Sequence, residues 1–340
     1  MRRSLTTAAL LLAGAGPLFA QNDASPAPST LQTTTRLVVV PTLVQTSSRE
    51  TVYSLHADDF LLTDKGVPQK LHLDDDATQP LSLVVLLQTG GAAVHEFEKY
   101  RNLETMLAEV LGKAPNQVAV VNFDSKPEAA SPFTSNIEEW TDAINHPDPG
   151  DDGAAIMDSL KYALALLAKQ PATNRRAILL ISQPFDLGSK TAAKEVVRMT
   201  GETNTAIYTL TFSPQKTRIK DSLTEKPHSN PPITLPNGTY TGYFNLSEPL
   251  GMILDAMKKN VAAEVATLSG GEVAAFNNQH ELDDKLTMLG SHLHNRYTLT
   301  FTPTSSEPGL HPLQVRLPNY PQLTVSARTS YWASDPAQEH

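Results

Sequence analysis

The 340-residue sequence contains no cysteine. That single absence excludes disulfides, thiol nucleophiles, thiolate metal sites and lipid attachment through a cysteine. Positive charge is also scarce: 27 basic residues stand against 36 acidic ones, a net charge of −9. Nucleic acid and anionic lipid surfaces need a basic face, so neither is expected as a partner. Beyond the first twenty residues no apolar run is long enough to span a bilayer. The usual catalytic signatures are missing as well. There is no Gly-x-Ser-x-Gly elbow and no Gly-rich phosphate loop. His95-Glu96 opens like a zinc-protease motif, but the second histidine position holds Lys99. His292 and His294 are two apart on a presumed helix, face different sides and read as solvated surface. Asp74-Asp75-Asp76 lacks the spacing of a calcium loop and reads as a solvated turn.

What remains is an ordinary globular composition, 40% hydrophobic and 19% charged, with 25 prolines. Arg2 and Arg3 precede a small, apolar stretch from Leu5 to Ala20, which reads as a secretory signal peptide over residues 1–20. A retained membrane anchor is the alternative, but the stretch is short and contains Gly14, Gly16 and Pro17. Cleavage would remove Arg2 and Arg3 and take the net charge from −9 to −11. A periplasmic or secreted protein, with no stable membrane insertion after signal removal, is expected. Residues 21–35 are rich in Ser, Thr, Pro and Ala and read as a flexible leader.

The pattern then predicts an α/β fold. Leu37-Val38-Val39-Val40 opens a strand, residues 52–62 continue a small β module, Lys65-Gly66-Val67-Pro68 reads as a turn, and Leu71-His72-Leu73 alternates. From residue 83 the period changes. Residues 83–87, 118–123, 177–181 and 207–212 are apolar runs of the kind buried on both faces of a sheet. Between them Phe97, Tyr100, Leu103, Leu107, Val110 and Leu111 recur at helical spacing, as do Ile156, Leu160, Ala163 and Leu167, and residues 191–199. Alternating strands and helices predict a mainly parallel sheet with helices on both faces. Residues 213–245 form a Pro-rich surface insertion. Ser247-Glu248-Pro249 predicts the start of one helix, apolar at Leu250, Leu254, Met257, Val261, Val265 and Leu268 and ended by Gly270-Gly271. A short strand at 273–276, a helix through Leu282, Leu286, Leu289 and Leu293, and three strands at 297–301, 313–317 and 323–327 follow. The organisation predicted is an N-terminal β module over 36–79, an α/β domain over 80–295, and C-terminal strands over 296–333 that pack with the N-terminal module.

Three blocks carry a resemblance to a known family. The first is Leu55-His56-Ala57-Asp58-Asp59-Phe60 with Asp64-Lys65-Gly66-Val67-Pro68-Gln69-Lys70. The second is the strand and loop from Leu83 to Ala92. The third is Leu268-Ser269-Gly270-Gly271 with Arg296-Tyr297-Thr298-Leu299 and Phe301-Thr302-Pro303-Thr304, closing at Leu310 to Arg316 and Ala327 to Tyr331. In this order the chain resembles the acidobacterial VWFA-related domain family, whose core is similar to a von Willebrand factor A (VWA) domain. The resemblance implies a VWA-like, Rossmann-type sheet with helices on both faces, plus a small β extension formed by the N- and C-terminal segments, in an exported protein.

It also implies a divalent-cation site on three loops at the carboxyl ends of strands. The family's first loop reads Asp-x-Ser-x-Ser; here those positions hold Gln88, Gly90 and Ala92. The second loop's threonine aligns with Ala154, and the third loop's aspartate with Gln183. Mg²⁺ or Mn²⁺ needs oxygen ligands, with at least one carboxylate to offset lost hydration. Two amides, a glycine and two alanines do not supply that, so no metal and no cofactor is expected. Asp151, Asp152 and Asp186 are expected near the same rim, where the alternative is that they take a cation in a different geometry. Asp152 and Asp186 read most simply as caps of helix starts. Ligands of open α/β sheets sit beyond the carboxyl ends of the strands. Gln88, Thr89, Gly90, Asp152, Gln183 and Asp186 are therefore the expected contact residues for an unidentified protein or cell-surface polymer. With no nucleophile and base in view, no catalytic residue is assigned. A structural cell-envelope component with a decayed site, or a hydrolytic enzyme, are the alternatives.

Overall fold

Near its start the chain alternates inward and outward side chains; at residue 81 the alternation stops, and the fold divides there. In a computed structural model the described residues are 37–74, 79–100, 103–111, 115–213, 239–240, 250–305 and 307–334. Strands β1 (Val38–Gln45), β2 (Leu61–Asp64), β3 (Val67–Pro68) and β4 (Leu71–Asp74) come first. β2 alternates strictly between half-buried and buried positions. Lys65 and Gly66, both at positive φ (48° and 83°), make the two-residue turn from β2 to β3. β5 (Leu81–Gln88) is buried at all eight positions, as expected of a central parallel strand.

β5 is joined by β6 (Gln117–Phe123), β7 (Arg175–Ser182), β8 (Ala206–Thr211), β9 (Thr239–Tyr240) and β10 (Val273–Ala275) in the order β6-β5-β7-β8-β10-β9. Every pairing is parallel except β9 with β10. Helices cover both faces. On one, α1 (Leu103–Leu111), α2 (Glu138–Asn145) and the last helix, Gln279–His294, bury Leu103, Leu107, Trp140, Ile144, Leu282, Leu286 and Leu289. On the other lie α3 (Ile156–Ala168), α4 (Ala193–Thr203), α5 (Leu250–Lys259) and α6 (Val261–Ser269). The helix Gln279–His294 is α7.

The chain then returns to its start. β11 (Tyr297–Phe301), β12 (Gly309–Arg316), β13 (Thr324–Ala327) and β14 (Ser330–Ala333) pair with the first strands as two antiparallel sheets, β13-β1-β11-β4 and β14-β12-β2-β3. Val40, Val44, Leu62, Leu299, Phe301 and Leu313 fill the layer between them. Buried Arg328, beside β13, ties this layer to α4: it donates to the Val39 carbonyl (3.0 Å), to Asn204 Oδ1 (2.9 Å) and to the Gly201 carbonyl (3.3 Å).

Several expectations need correction. The helix expected through Leu268 is two helices. Asn260 breaks it and caps α6, accepting from the Ala263 N–H at 2.9 Å. Its expected start at Ser247 lies outside the described residues, as do residues 1–36 and 214–238. Of the expected insertion, Thr239–Tyr240 form the edge strand β9. The run at Phe97–Leu111 is a 3₁₀ segment, Gly91–Tyr100, followed by α1. Helix α2 and strand β14 were not anticipated. His292 is buried rather than solvated: its Nδ1 lies 2.8 Å from Glu272 and its Nε2 3.3 Å from Gln45.

Candidate functional site

The parallel register ends β5, β6 and β7 at Gln88, Phe123 and Ser182, so the loops that follow them converge at one end of the sheet. Backbone hydrogen bonds stitch these loops to the 150–155 loop. The Thr89 N–H donates to the Phe123 carbonyl (2.8 Å), Gly150 to Thr89 (3.1 Å), Gly91 to Asp151 (2.7 Å) and Ala155 to Asp124 (2.7 Å). Ala154 and Leu187 exchange N–H···O bonds at 3.0 and 2.8 Å. Main-chain bonds between loops therefore hold much of the rim.

At the centre two carboxamides face each other. Gln88 Oε1 accepts from the Gln183 backbone N–H at 2.9 Å. Gln88 Nε2 donates to the Gly90 carbonyl at 2.9 Å and to Gln183 Oε1 at 3.3 Å. Gln183 Nε2 donates to the Phe185 carbonyl at 2.9 Å. The backbone N–H fixes which end of Gln88 is oxygen, since only an acceptor can face it. Both side chains are inside the protein, Gln88 at 0% and Gln183 at 4% exposure. Buried polar groups of this kind must be paired, and each amide end here is.

The residues present do not fit a divalent cation. The amides bring no charge, and their polar atoms are already committed. The position aligned with the family's first serine is physically closed as well. A Cβ on Gly90 would lie 2.5 Å from the carbonyl oxygens of both Asp151 and Gly153. Backbone of the 151–153 loop fills the space in which a ligating hydroxyl would stand.

The neighbouring carboxylates are occupied in shaping the loops. Asp124 accepts from the N–H groups of Lys126 (3.1 Å) and Asp151 (3.2 Å). Asp151 accepts from the N–H groups of Ser125 (3.0 Å) and Gly153 (2.8 Å) and from the Ser125 hydroxyl. The Ser125 hydroxyl and then the Gly153 N–H hold its carboxyl below the usual aspartate range. Asp186 caps a helix, but not the one that follows it: it accepts from the Met157 N–H of α3 at 2.9 Å and from the Ser189 hydroxyl at 2.6 Å. Asp158 answers from α3, accepting from the N–H groups of Thr191 (2.7 Å) and Lys190 (3.1 Å). Burial opposes ionisation at Asp158, but the bonds from Thr191 and Lys190 outweigh it and lower its pKa. Asp152 is exposed and is not the cap of α3; Ala155 occupies that position without a side-chain bond.

The structure thus gathers all six expected contact residues at one end of the sheet but separates them by depth. Gln88, Thr89, Gly90 and Gln183 are buried; Asp186 is half-buried and Asp152 exposed. The expectation that the amides meet a partner directly is corrected: they lie beneath the surface and their hydrogen bonds are spent internally. The accessible rim consists of Ser125, Asp151 and Asp152 with two apolar side chains that the sequence reading passed over, Phe185 (38% exposed) and Leu187 (53%). Their signal was two large apolar residues at alternate positions of a loop bounded by Pro184 and Gly188.

The family model described as the von Willebrand factor type A domain matches residues 88–185, a span that begins at Gln88 and takes in Gln183. No curated protein matches the chain. Among solved structures, an aerotolerance-related membrane protein from Bacteroides fragilis is 15% identical with a TM-score of 0.39, the match covering 63% of this chain and 98% of that one. The conserved hypothetical protein BatB from Bacteroides thetaiotaomicron is 14% identical with a TM-score of 0.40, over 63% of this chain and 97% of that one. Proximal thread matrix protein 1 from the mussel byssus, in a structure with a zinc-occupied MIDAS motif, is 12% identical with a TM-score of 0.44. That match covers 67% of this chain and 49% of the byssus protein.

Proposed function

The chain carries a von Willebrand factor type A domain over residues 88–185, and on that premise we propose that it is an exported, non-catalytic binding module that engages a protein or surface polymer without a metal ion. One observation carries the reading: buried Gln88 and Gln183 hydrogen-bond to each other where the family resemblance implies charged metal ligands. A site organised by a cation would come apart without it. This one is organised by amide pairing and by main-chain bonds between loops. Export rests on the apolar leader, Leu5 to Ala20. Among the described residues no helix is long and apolar enough to cross a membrane.

The contact face is the rim above the glutamines. Phe185 and Leu187 offer exposed apolar area, and Leu187 pairs through its backbone with Ala154 on the loop that carries the exposed Asp151 and Asp152. A partner segment with apolar and basic side chains complements that surface. The test is retention of cell-envelope components on the immobilised chain, in Mg²⁺ and in EDTA, with Phe185→Ser/Leu187→Ser alongside. The expected result is capture of one identifiable partner, unchanged by chelator and lost in the double variant. Capture abolished by EDTA would overturn the metal-independent reading. Capture indifferent to the rim substitutions would instead favour a structural envelope component with a decayed site.

A further inference from the structure

Helix α2 (Glu138–Asn145) rests against β6, the edge strand of the parallel sheet, and against the segment Gly91–Tyr100. Its seat is polar. Four buried side-chain atoms in the helix or beneath it have no hydrogen-bond partner among the described residues. They are Trp140 Nε1 and Asn145 Oδ1 on α2, Asn122 Oδ1 on β6, and the Tyr100 hydroxyl. The other end of the Asn122 amide is held under the helix, with Nδ2 donating to the Ala143 carbonyl at 3.3 Å. Tyr100 and Trp140 belong to one core layer. Burial, and then the nearby Glu96 carboxylate, raise the Tyr100 pKa well above its ordinary value. The phenol therefore keeps its proton and remains a donor in need of an acceptor.

The apolar return on seating α2 is small. Among its described side chains only Trp140 and Ile144 are fully buried apolar groups. Helix α3 is the contrast: it buries Ile156, Leu160, Ala163, Leu164 and Leu167, and its buried Ser159 hydroxyl is paired, donating to the Ala155 carbonyl at 2.8 Å. Leaving a buried polar group unpaired costs about as much as burying a large apolar side chain gains. In α2 the two effects oppose each other; in α3 the gain stands alone. Lifting α2 from β6 would admit water to all four atoms, while the other helices keep the rest of the sheet covered.

We propose that α2 is a lid, which detaches from β6 in a local opening of the native protein and exposes Trp140 with the polar floor of Asn122 and Tyr100. The remainder of the fold stays closed. The lid stands whether or not the rim above Gln88 binds a partner.

The test is native-state hydrogen exchange of the full chain at low urea concentrations. The Ala143 and Ile144 amides should exchange at least about a hundredfold faster than those of Leu160 and Leu164 in α3. Their rates should depend little on urea, because a local opening exposes little surface. Tyr100→Phe keeps the ring and removes one unpaired hydroxyl, so it should slow Ala143 and Ile144 by about tenfold. Thr200→Val removes an unpaired buried hydroxyl from α4, on the opposite face of the sheet. It should alter exchange in α3 but not at Ala143 and Ile144. The proposal is overturned if those two amides share the rate and urea dependence of α3, if Tyr100→Phe leaves them unchanged, or if Thr200→Val moves them as much as it moves α3.

Discussion

Gln88 and Gln183 each use the other as a hydrogen-bond partner across the carboxyl ends of β5 and β7, oxygen to backbone N–H at 2.9 Å and amide to amide oxygen at 3.3 Å. A carboxamide can do this and an ionised carboxylate cannot, because the position must accept on one side and donate on the other. Gln88→Glu retains the acceptor but turns a donor into a negative charge facing two oxygens, the Gly90 carbonyl and Gln183 Oε1. At neutral pH the variant should lose about 2–4 kcal/mol of stability in urea denaturation. A protonated carboxyl can donate again, so acid should restore part of the loss. A melt of Gln88→Glu that matches the parent at every pH would refute the pairing.

Ions that bind only the native state raise its melting temperature. The amide pair and the closed position at Gly90 replace charged ligands, and among the described residues no group of three acids or histidines converges to hold an ion. Mg²⁺, Mn²⁺ or Ca²⁺ at millimolar concentration should therefore move the parent melt by less than about 1 °C relative to EDTA. Gln88→Asp/Gln183→Asp should not acquire a response either, since the 151–153 backbone still fills the serine position. A shift of several degrees in either protein would reopen the cation site.

The sheet was legible because parallel strands covered on both faces leave continuous apolar runs, and residues 83–87, 177–181 and 207–212 are such runs. The loop positions of Gln88, Ala154 and Gln183 followed from where those runs stop. Depth did not: nothing in the letters distinguishes a glutamine at a rim from one beneath it, and the loops that meet here, after β5, β6 and β7 and at 150–155, are far apart in sequence. Helix α2 escaped because Trp140 and Ile144 alone mark its buried face. The break at Asn260 was hidden because α5 and α6 bury residues on one sheet face, so the apolar spacing runs through. Asp186 was read against its nearest helix in sequence, whereas its cap is to a residue 29 positions away.

Asp186 holds the amino end of α3 from another loop, accepting from the Met157 N–H while Ser189 reaches Asp158 N–H at 3.1 Å. Asp186→Ala should cost about 1–2 kcal/mol, the usual range for a lost cap. It should also raise hydrogen exchange at Met157 and Asp158 ahead of the rest of α3. Protection at those two amides equal to the parent's would show that Asp186 is not the cap.

Asp158 supplies the acid-sensitive half of the same exchange. Bonds from Thr191 and Lys190 keep its native pKa below the unfolded value despite partial burial. Unfolding in acid therefore takes up a proton. This contribution is complete above the unfolded aspartate pKa and disappears as pH falls through the native one. Asp158→Asn cannot titrate, so its melting temperature should fall less than the parent's between about pH 6 and about pH 3. Parallel acid limbs for the two proteins would contradict the assignment.

The β layer built from both chain ends contains a buried polar group of its own. Tyr331 donates its hydroxyl to Asp64 Oδ2 at 2.7 Å, and His311 Nδ1 lies 3.0 and 3.1 Å from the two Asp64 oxygens. His311 Nε2 is 2.7 Å from the Glu307 carbonyl, which can only accept, so the histidine donates in that contact. All three side chains are buried, on strands β2, β12 and β14. Burial and then the bond to Asp64 raise the Tyr331 pKa far above its ordinary value, so its proton stays in the network. Tyr331→Phe should cost about 1–3 kcal/mol, and His311→Leu, which leaves the buried carboxylate with the Tyr331 hydroxyl and without its histidine, about 3–5 kcal/mol. Because the three act through one carboxylate, the losses should not add: Asp64→Asn combined with Tyr331→Phe should cost less than the two singly. Strict additivity in that cycle would mean that the short distances at Asp64 are not energetically coupled, and that the layer stands on its apolar residues alone.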